Sequence, residues 1–180
     1  MVARLTDLVK MHRTKYRVNE LVRDGKLYRL EHGMYSDRPD APEVEILLAK
    51  YPSSVLTLDS AYYYYRLSDI VPEHYHLATD RKAAPITDER VAQSFVPSGT
   101  LAIGSETRSI GGEELRIFDK ERLLIETIRN RTKLPYELYR EIIDSYRGIR
   151  HELYAAKFDD YLKSFPKRDF ILETIRKEVF

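Results

Sequence analysis

The chain has 180 residues, enough for one larger domain or for a module of about 40 residues joined to one of about 140. At 43% hydrophobic and 33% charged residues, with 14 Tyr and no Trp, its composition is globular rather than disordered; without Cys it has no disulfide framework, thiolate metal site or Cys nucleophile, which fits a reducing cytoplasm. Its apolar runs are too short to span a bilayer and no secretory leader opens it, so a soluble, cytoplasmic chain with no membrane partner is expected.

The net charge is +1, but it is segregated. Residues 1–38 carry nine basic and five acidic side chains, and residues 39–98 carry five and nine, so an electropositive head precedes a neutral-to-acidic body. The head opens on Val2, Leu5, Leu8 and Val9, whose spacing places four apolar side chains on one face of a short helix. Thr14 is the expected N-cap of a second helix, in which Val18, Leu21 and Val22 recur at i, i+3 and i+4 until Asp24-Gly25 ends it. Residues 26–36 (KLYRLEHGMYS) hold two β-prone runs around Glu31-His32-Gly33, which predicts a hairpin turning at Gly33. Two helices and a hairpin make a small winged helix-turn-helix over residues 1–38.

Laid out at about 100° per residue, the second helix turns Val18, Leu21 and Val22 inward and projects Arg13, Tyr16, Asn19 and Arg23 from the other side. Thr14, Lys15 and Arg17 flank that stripe, and Lys26, Arg29 and His32 lie on the wing. Arg matches guanine, Asn matches adenine, and Tyr can meet phosphate or a thymine methyl, while the wing side chains can meet the flanking backbone. Glu20 shares the face and would select against wrong phosphate positions. Any solvated helix face carries charge; the hairpin directly after Gly25 favours the DNA reading.

Residues 36–42 (SDRPDAP) are rich in Pro and Asp and lack apolar periodicity, so they mark the expected boundary between a head over 1–38 and a body over 43–180. In the body, Val44, Leu47, Leu48 and Tyr51 mark a helix, residues 55–58 a strand, 60–67 a helix and 75–79 a strand. Residues 100–104, 108–110 and 115–118 read as strands, the last two joined across Gly111-Gly112. From Asp119 onward, four helices are separated by Pro135, Gly148 and Pro166. The expected fold is therefore α+β, a winged helix-turn-helix followed by a larger α+β domain ending in a helical region.

Other clusters admit ordinary explanations. Asp119, Glu121 and Glu126, with Asp69 or Glu73, could in principle hold a divalent metal for phosphoryl chemistry, but Asp119 reads better as an N-cap and the other acids as dipole partners. His74 and His76 alternate on a strand without a nearby third ligand. Tyr62 to Tyr65 cover every side of their helix, so packing explains most of them. Gly104, Gly111 and Gly112 lack a phosphate-loop pattern and read as turns. No catalytic residue, metal or cofactor is expected.

Residues 19–36 (NELVRDGKLYRLEHGMYS) resemble the recognition helix and wing of the AbiEi-type antitoxin family: a helix ending in Gly25, a Leu-rich strand over 27–30, and a closing Gly33-Met34-Tyr35. The resemblance continues over 51–77, through Ser60-Ala61 and the Leu67 to Pro72 turn, and resumes over 115–131 at Phe118-Asp119 and Glu121-Arg122. It implies a bacterial or phage-associated antitoxin of a type IV toxin-antitoxin system, active in phage defence by abortive infection. Its head would repress its own promoter by binding double-stranded DNA at inverted repeats. Its body would counteract a nucleotidyltransferase-like toxin, in a family whose antitoxins often act without a stable complex. Family heads carry a further helix before the first one here, so this head is minimal. Two other readings stay open: a winged-helix regulator whose body senses a ligand or dimerises, and a metal-dependent nuclease or nucleotidyltransferase built on the acids of 119–126.

Overall fold

A computed structural model describes residues 1–12 and 14–180. They form an α+β fold that divides into two compact units, Met1–Pro52 with Ser109–Leu115, and Ser53–Arg108 with Arg116–Phe180.

The first unit runs β1 (Val2–Arg4), α1 (Leu5–His12), α2 (Lys15–Arg23), β2 (Tyr28–Glu31), β3 (Met34–Ser36) and α3 (Glu43–Lys50). Two helices and a hairpin stand where the periodicity predicts them. Val2 does not join the first helix: Val2, Ala3 and Arg4 pair antiparallel with Ser36, Tyr35 and Met34, giving a three-stranded sheet in the order β1-β3-β2. The helix starts at Leu5, whose N–H donates to the carbonyl of Gly33 in the hairpin turn (2.8 Å). Leu8, Val18, Leu27 and Tyr35 are buried together, with Ala3, Leu5, Val9, Leu21 and Val22 packed around them. Met34, and Val44, Leu47 and Leu48 of α3, are buried in the same unit, and each fully buried aliphatic side chain contributes about 1.5–3 kcal/mol.

The compact units do not divide at residues 36–42. α3 packs on β1 and belongs to the first unit. Glu45 accepts from Arg38 Nη2 (2.7 Å) and from the Glu114 N–H (3.2 Å), and Lys50 pairs with Glu31 (3.1 Å). These links span the Pro-rich segment, so it is a bend within a unit rather than a linker between units.

The second unit contains β4 (Ser54–Leu56), α4 (Leu58–Tyr64), β5 (Tyr75–Asp80) and β6 (Val91–Val96), together with the parts of β7 (Ser105–Ile110) and β8 (Glu113–Phe118) that lie outside residues 109–115; β7 and β8 are joined through Gly111-Gly112. The helices α5 (Lys120–Arg129), α6 (Tyr136–Gly148), α7 (Ala155–Leu162) and α8 (Arg168–Glu178) follow. The sheet order is β6-β5-β4-β8-β7, with β4 antiparallel to β5 and parallel to β8, and β5 parallel to β6. Several details depart from the sequence reading: the helix expected over 60–67 is α4, which ends at Tyr64, and the strand expected over 108–110 begins at Ser105. Leu58 is not strand but opens α4, in a left-handed conformation (φ 42°). β6 is an edge strand that the periodicity misses. Residues 100–104 form successive turns instead of a strand, with N–H groups of Thr100, Ile103 and Ser105 donating to carbonyls three residues back; the carbonyls of Thr100 and Ile103 are taken by Arg122.

Candidate nucleic-acid interface

α2 is bounded as its sequence requires. Thr14, in extended conformation, accepts the Arg17 N–H on Oγ1 (3.2 Å) and so satisfies one of the donors left free by the first helical turn. At the other end Gly25 adopts φ +69°; its N–H reaches the Val22 carbonyl, and the Lys26 N–H reaches that of Leu21. This double closure returns the chain sharply into the hairpin and suits glycine, which takes positive φ at no steric cost.

Val18 is wholly buried. On the opposite side Lys15, Tyr16, Asn19 and Arg23 are exposed, Tyr16 by 70%. Thr14 and Arg17 are exposed as well, but both are engaged: the Thr14 hydroxyl caps the helix, and Arg17 Nη1 is held by Glu20 Oε2 (2.6 Å). Lys26, Arg29 and His32 on the hairpin are all exposed. Arg29 lies opposite Tyr35, just before a register shift in the β2–β3 pair. Arg13, the first residue of the expected stripe, lies outside the described residues.

Four acids of this unit are each engaged by a cation. Asp7 takes Arg4 (2.7 Å), Glu20 takes Arg17, Glu31 takes Lys50, and Asp37 takes the terminal ammonium. Hydrogen bonds from Arg4 and from the ammonium hold the Asp7 and Asp37 carboxyls below the ordinary carboxylate value. Among the described residues Lys10, Lys15, Arg23, Lys26 and Arg29 enter no ion pair, so five exposed cations remain available to an anionic partner. Lys10, in the last turn of α1, was not among the sequence candidates; its signal was a basic residue at a helix C-terminus, which the helix dipole alone explains.

The second unit places its acids differently. Asp119 caps α5 through the Arg122 N–H (2.8 Å), and its other oxygen accepts from Lys157 Nζ (2.9 Å) and the Tyr161 hydroxyl (2.6 Å). Glu121 accepts from the Tyr154 N–H (2.8 Å) and from Lys157 Nζ (3.2 Å). Glu126 lies between Arg122 (2.7 Å) and Arg129. The three acids are thus each held by cations, and among the described residues no group of three or more His, Asp or Glu is placed to hold a metal ion. His76 Nε2 stands 3.6 Å from Asp59; burial lowers its pKa, opposed by that carboxylate. Of the tyrosine run, Tyr62 is buried with its hydroxyl on Thr127 (2.9 Å) and Tyr65 donates to the Phe118 carbonyl (2.9 Å), while Tyr63 is partly exposed.

No protein-family model matches the chain, and no curated protein sequence matches it significantly. In fold it is similar to the RV2827C protein from Mycobacterium tuberculosis, known from a crystal structure, with a TM-score of 0.62 over 97% of this chain and 72% of that one. The two sequences are 13% identical, so the likeness is one of fold alone.

Proposed function

We propose that the chain is the antitoxin of a type IV toxin-antitoxin pair: its first unit binds duplex promoter DNA as a winged helix-turn-helix and represses its own transcription, and its second unit counteracts a nucleotidyltransferase-like toxin. One observation carries the DNA half. Lys15, Tyr16, Asn19 and Arg23 are exposed opposite buried Val18, and the helix that bears them runs through Gly25 into a hairpin whose Lys26, Arg29 and His32 are also exposed. In this reading Asn19 and Arg23 meet base edges in the major groove, and Lys26 and Arg29 meet phosphates. The toxin half rests on the resemblance of residues 19–36, 51–77 and 115–131 to AbiEi-type antitoxins, and the toxin is opposed without a stable complex. The protein acts in the cytoplasm and assigns no catalysis to itself; among its described residues no helix is long and apolar enough to cross a membrane.

The DNA half is tested by titrating the full chain into duplex from its own upstream region at salt concentrations from about 50 to 200 mM. Log affinity should fall linearly with log salt, because each phosphate contact releases counterions. A flat profile overturns it. The toxin half is tested by co-expression with the adjacent nucleotidyltransferase-like gene product, where growth rescue is expected and its absence overturns the assignment.

A further inference from the structure

Between the end of α5 and the start of α8 the second unit carries a groove of about 660 Å³. Buried Ile128 and Ile171 lie at its base, and Arg129, Arg131, Lys167 and Phe170 line it. Among the described residues no carboxylate lines it. Beneath it, Glu126 pairs with both Arg122 and Arg129. Arg131 and Lys167 enter no ion pair among the described residues. Lys167 occupies a left-handed position (φ 59°) directly before α8, and its carbonyl accepts the Ile171 N–H (3.1 Å), which fixes the backbone from which its side chain departs.

Surplus positive charge over an apolar base attracts anions more strongly than the same charge in open water, because the low-dielectric wall screens less. Phe170 adds a second chemistry. It is 43% exposed and has the Arg131 guanidinium 4.6 Å from its ring centre, an arrangement that offers a planar surface to a stacking heterocycle. The volume lies within the range of about 300–1,000 Å³ typical of small-ligand sites. We propose that this groove binds a nucleotide, with its phosphates among Arg129, Arg131 and Lys167 and its base against Phe170, either as a free nucleoside triphosphate or as the terminal residue of a single RNA strand. The inference is independent of the DNA-binding assignment.

The test uses the full chain carrying Lys15→Ala and Arg23→Ala, so that the first unit contributes little polyanion binding, and follows heat on titration with ATP, inorganic triphosphate and a short single-stranded RNA. ATP should bind saturably. Arg131→Glu and Lys167→Glu, both surface substitutions, should each weaken ATP by about tenfold or more, as expected for loss of a charge-assisted contact. Phe170→Leu should weaken ATP several-fold and leave triphosphate unchanged. RNA that competes with ATP assigns the strand end, and RNA that does not assigns the free nucleotide. Absence of saturable ATP binding, or affinities unaltered by Arg131→Glu and Lys167→Glu in variants with unchanged circular dichroism, overturns the proposal; equal loss of ATP and triphosphate in Phe170→Leu overturns the stacking half.

Discussion

In the first unit the cations that enter no ion pair among the described residues stand in solvent, whereas the second unit holds a cation in its interior. Arg122 is wholly buried there. Its Nε and Nη2 donate to Glu126, its Nη1 donates to the carbonyls of Thr100 and Ile103, and its guanidinium lies 4.4 Å from the ring centres of both Phe118 and Phe165. An exposed lysine or arginine costs little to keep and remains available to a partner. A buried one must recover its lost hydration from fixed contacts, and here those contacts tie the 100–104 turns to α5. The unpaired cations of the first unit therefore face solvent, while the buried arginine of the second helps specify its interior.

The contrast is broken most directly at Arg122. Arg122→Met should destabilise the protein by about 3–5 kcal/mol in equilibrium denaturant unfolding, because it leaves the Glu126 carboxylate buried with only Arg129. Adding Glu126→Met should recover part of that loss. Gly104→Ala attacks the same point from the other side: a Cβ at Gly104 would lie 2.5 Å from Arg122 Cβ, and its φ of +66° disfavours alanine. A strained backbone position of this kind costs on the order of 1–3 kcal/mol, and the clash adds to it. If the single Arg122 variant unfolds at the wild-type midpoint, the buried network is not what holds this unit.

Leu8→Ala is the counterpart in the first unit. Leu8 is buried against Val18 and Leu27, and deleting such a side chain costs about 2–5 kcal/mol. Because Leu8 belongs to the cluster that joins α1, α2 and the hairpin, the variant should lose amide-exchange protection in α1 and α2, and with it, on the proposed reading, DNA affinity. Protection equal to wild type would mean that the four-residue cluster is not the main support of α2.

Caps and turn glycines are legible locally, whereas elements that depend on distant partners are not. Thr14, Gly25, Gly33 and Asp119 act within three or four residues of themselves as caps and turns, so their types alone locate α2, the hairpin and the start of α5. β1 is only three residues long and exists through its pairing with β3, more than thirty residues away. β6 is an edge strand whose partner is parallel and whose alternation is weak. The place of α3 depends on Arg38–Glu45 and Lys50–Glu31, and nothing near the Pro-rich residues announces those pairs. At the candidate interface the outward side of α2 was legible from helical period alone; that Arg17 is held by Glu20 could be suspected from their spacing, while the availability of Lys10 could not. Arg122 carries no sequence mark of burial, since an arginine in an amphipathic helix ordinarily faces solvent.

Within the first unit the assignments of base reader and backbone holder can be sharpened separately. Asn19 is exposed in the middle of α2, and the proposed function makes it a base reader. Asn19→Ala should change preference at one operator position by about 1–3 kcal/mol, measured by selection from a randomised operator pool. An unchanged preference would move the reading element away from α2.

The smallest effect separates a free cation from an occupied one. Lys26 is exposed and joins no ion pair among the described residues, so a phosphate it meets displaces a counterion at no cost to an internal contact. Lys26→Ala should weaken all DNA sequences about equally and lower the log–log salt slope by about one unit. Arg17 carries the same charge and is also exposed, but its guanidinium is bonded to Glu20, and a phosphate contact would first have to break that pair. Arg17→Ala should therefore leave the slope where it is, and Glu20→Gln, which frees Arg17, should steepen it. An exposed pair of this kind contributes little to stability, so none of the three changes should alter folding measurably. Slopes that fall equally for Lys26→Ala and Arg17→Ala would show that DNA draws Arg17 away from Glu20, and that the count of available cations in the free protein understates the interface.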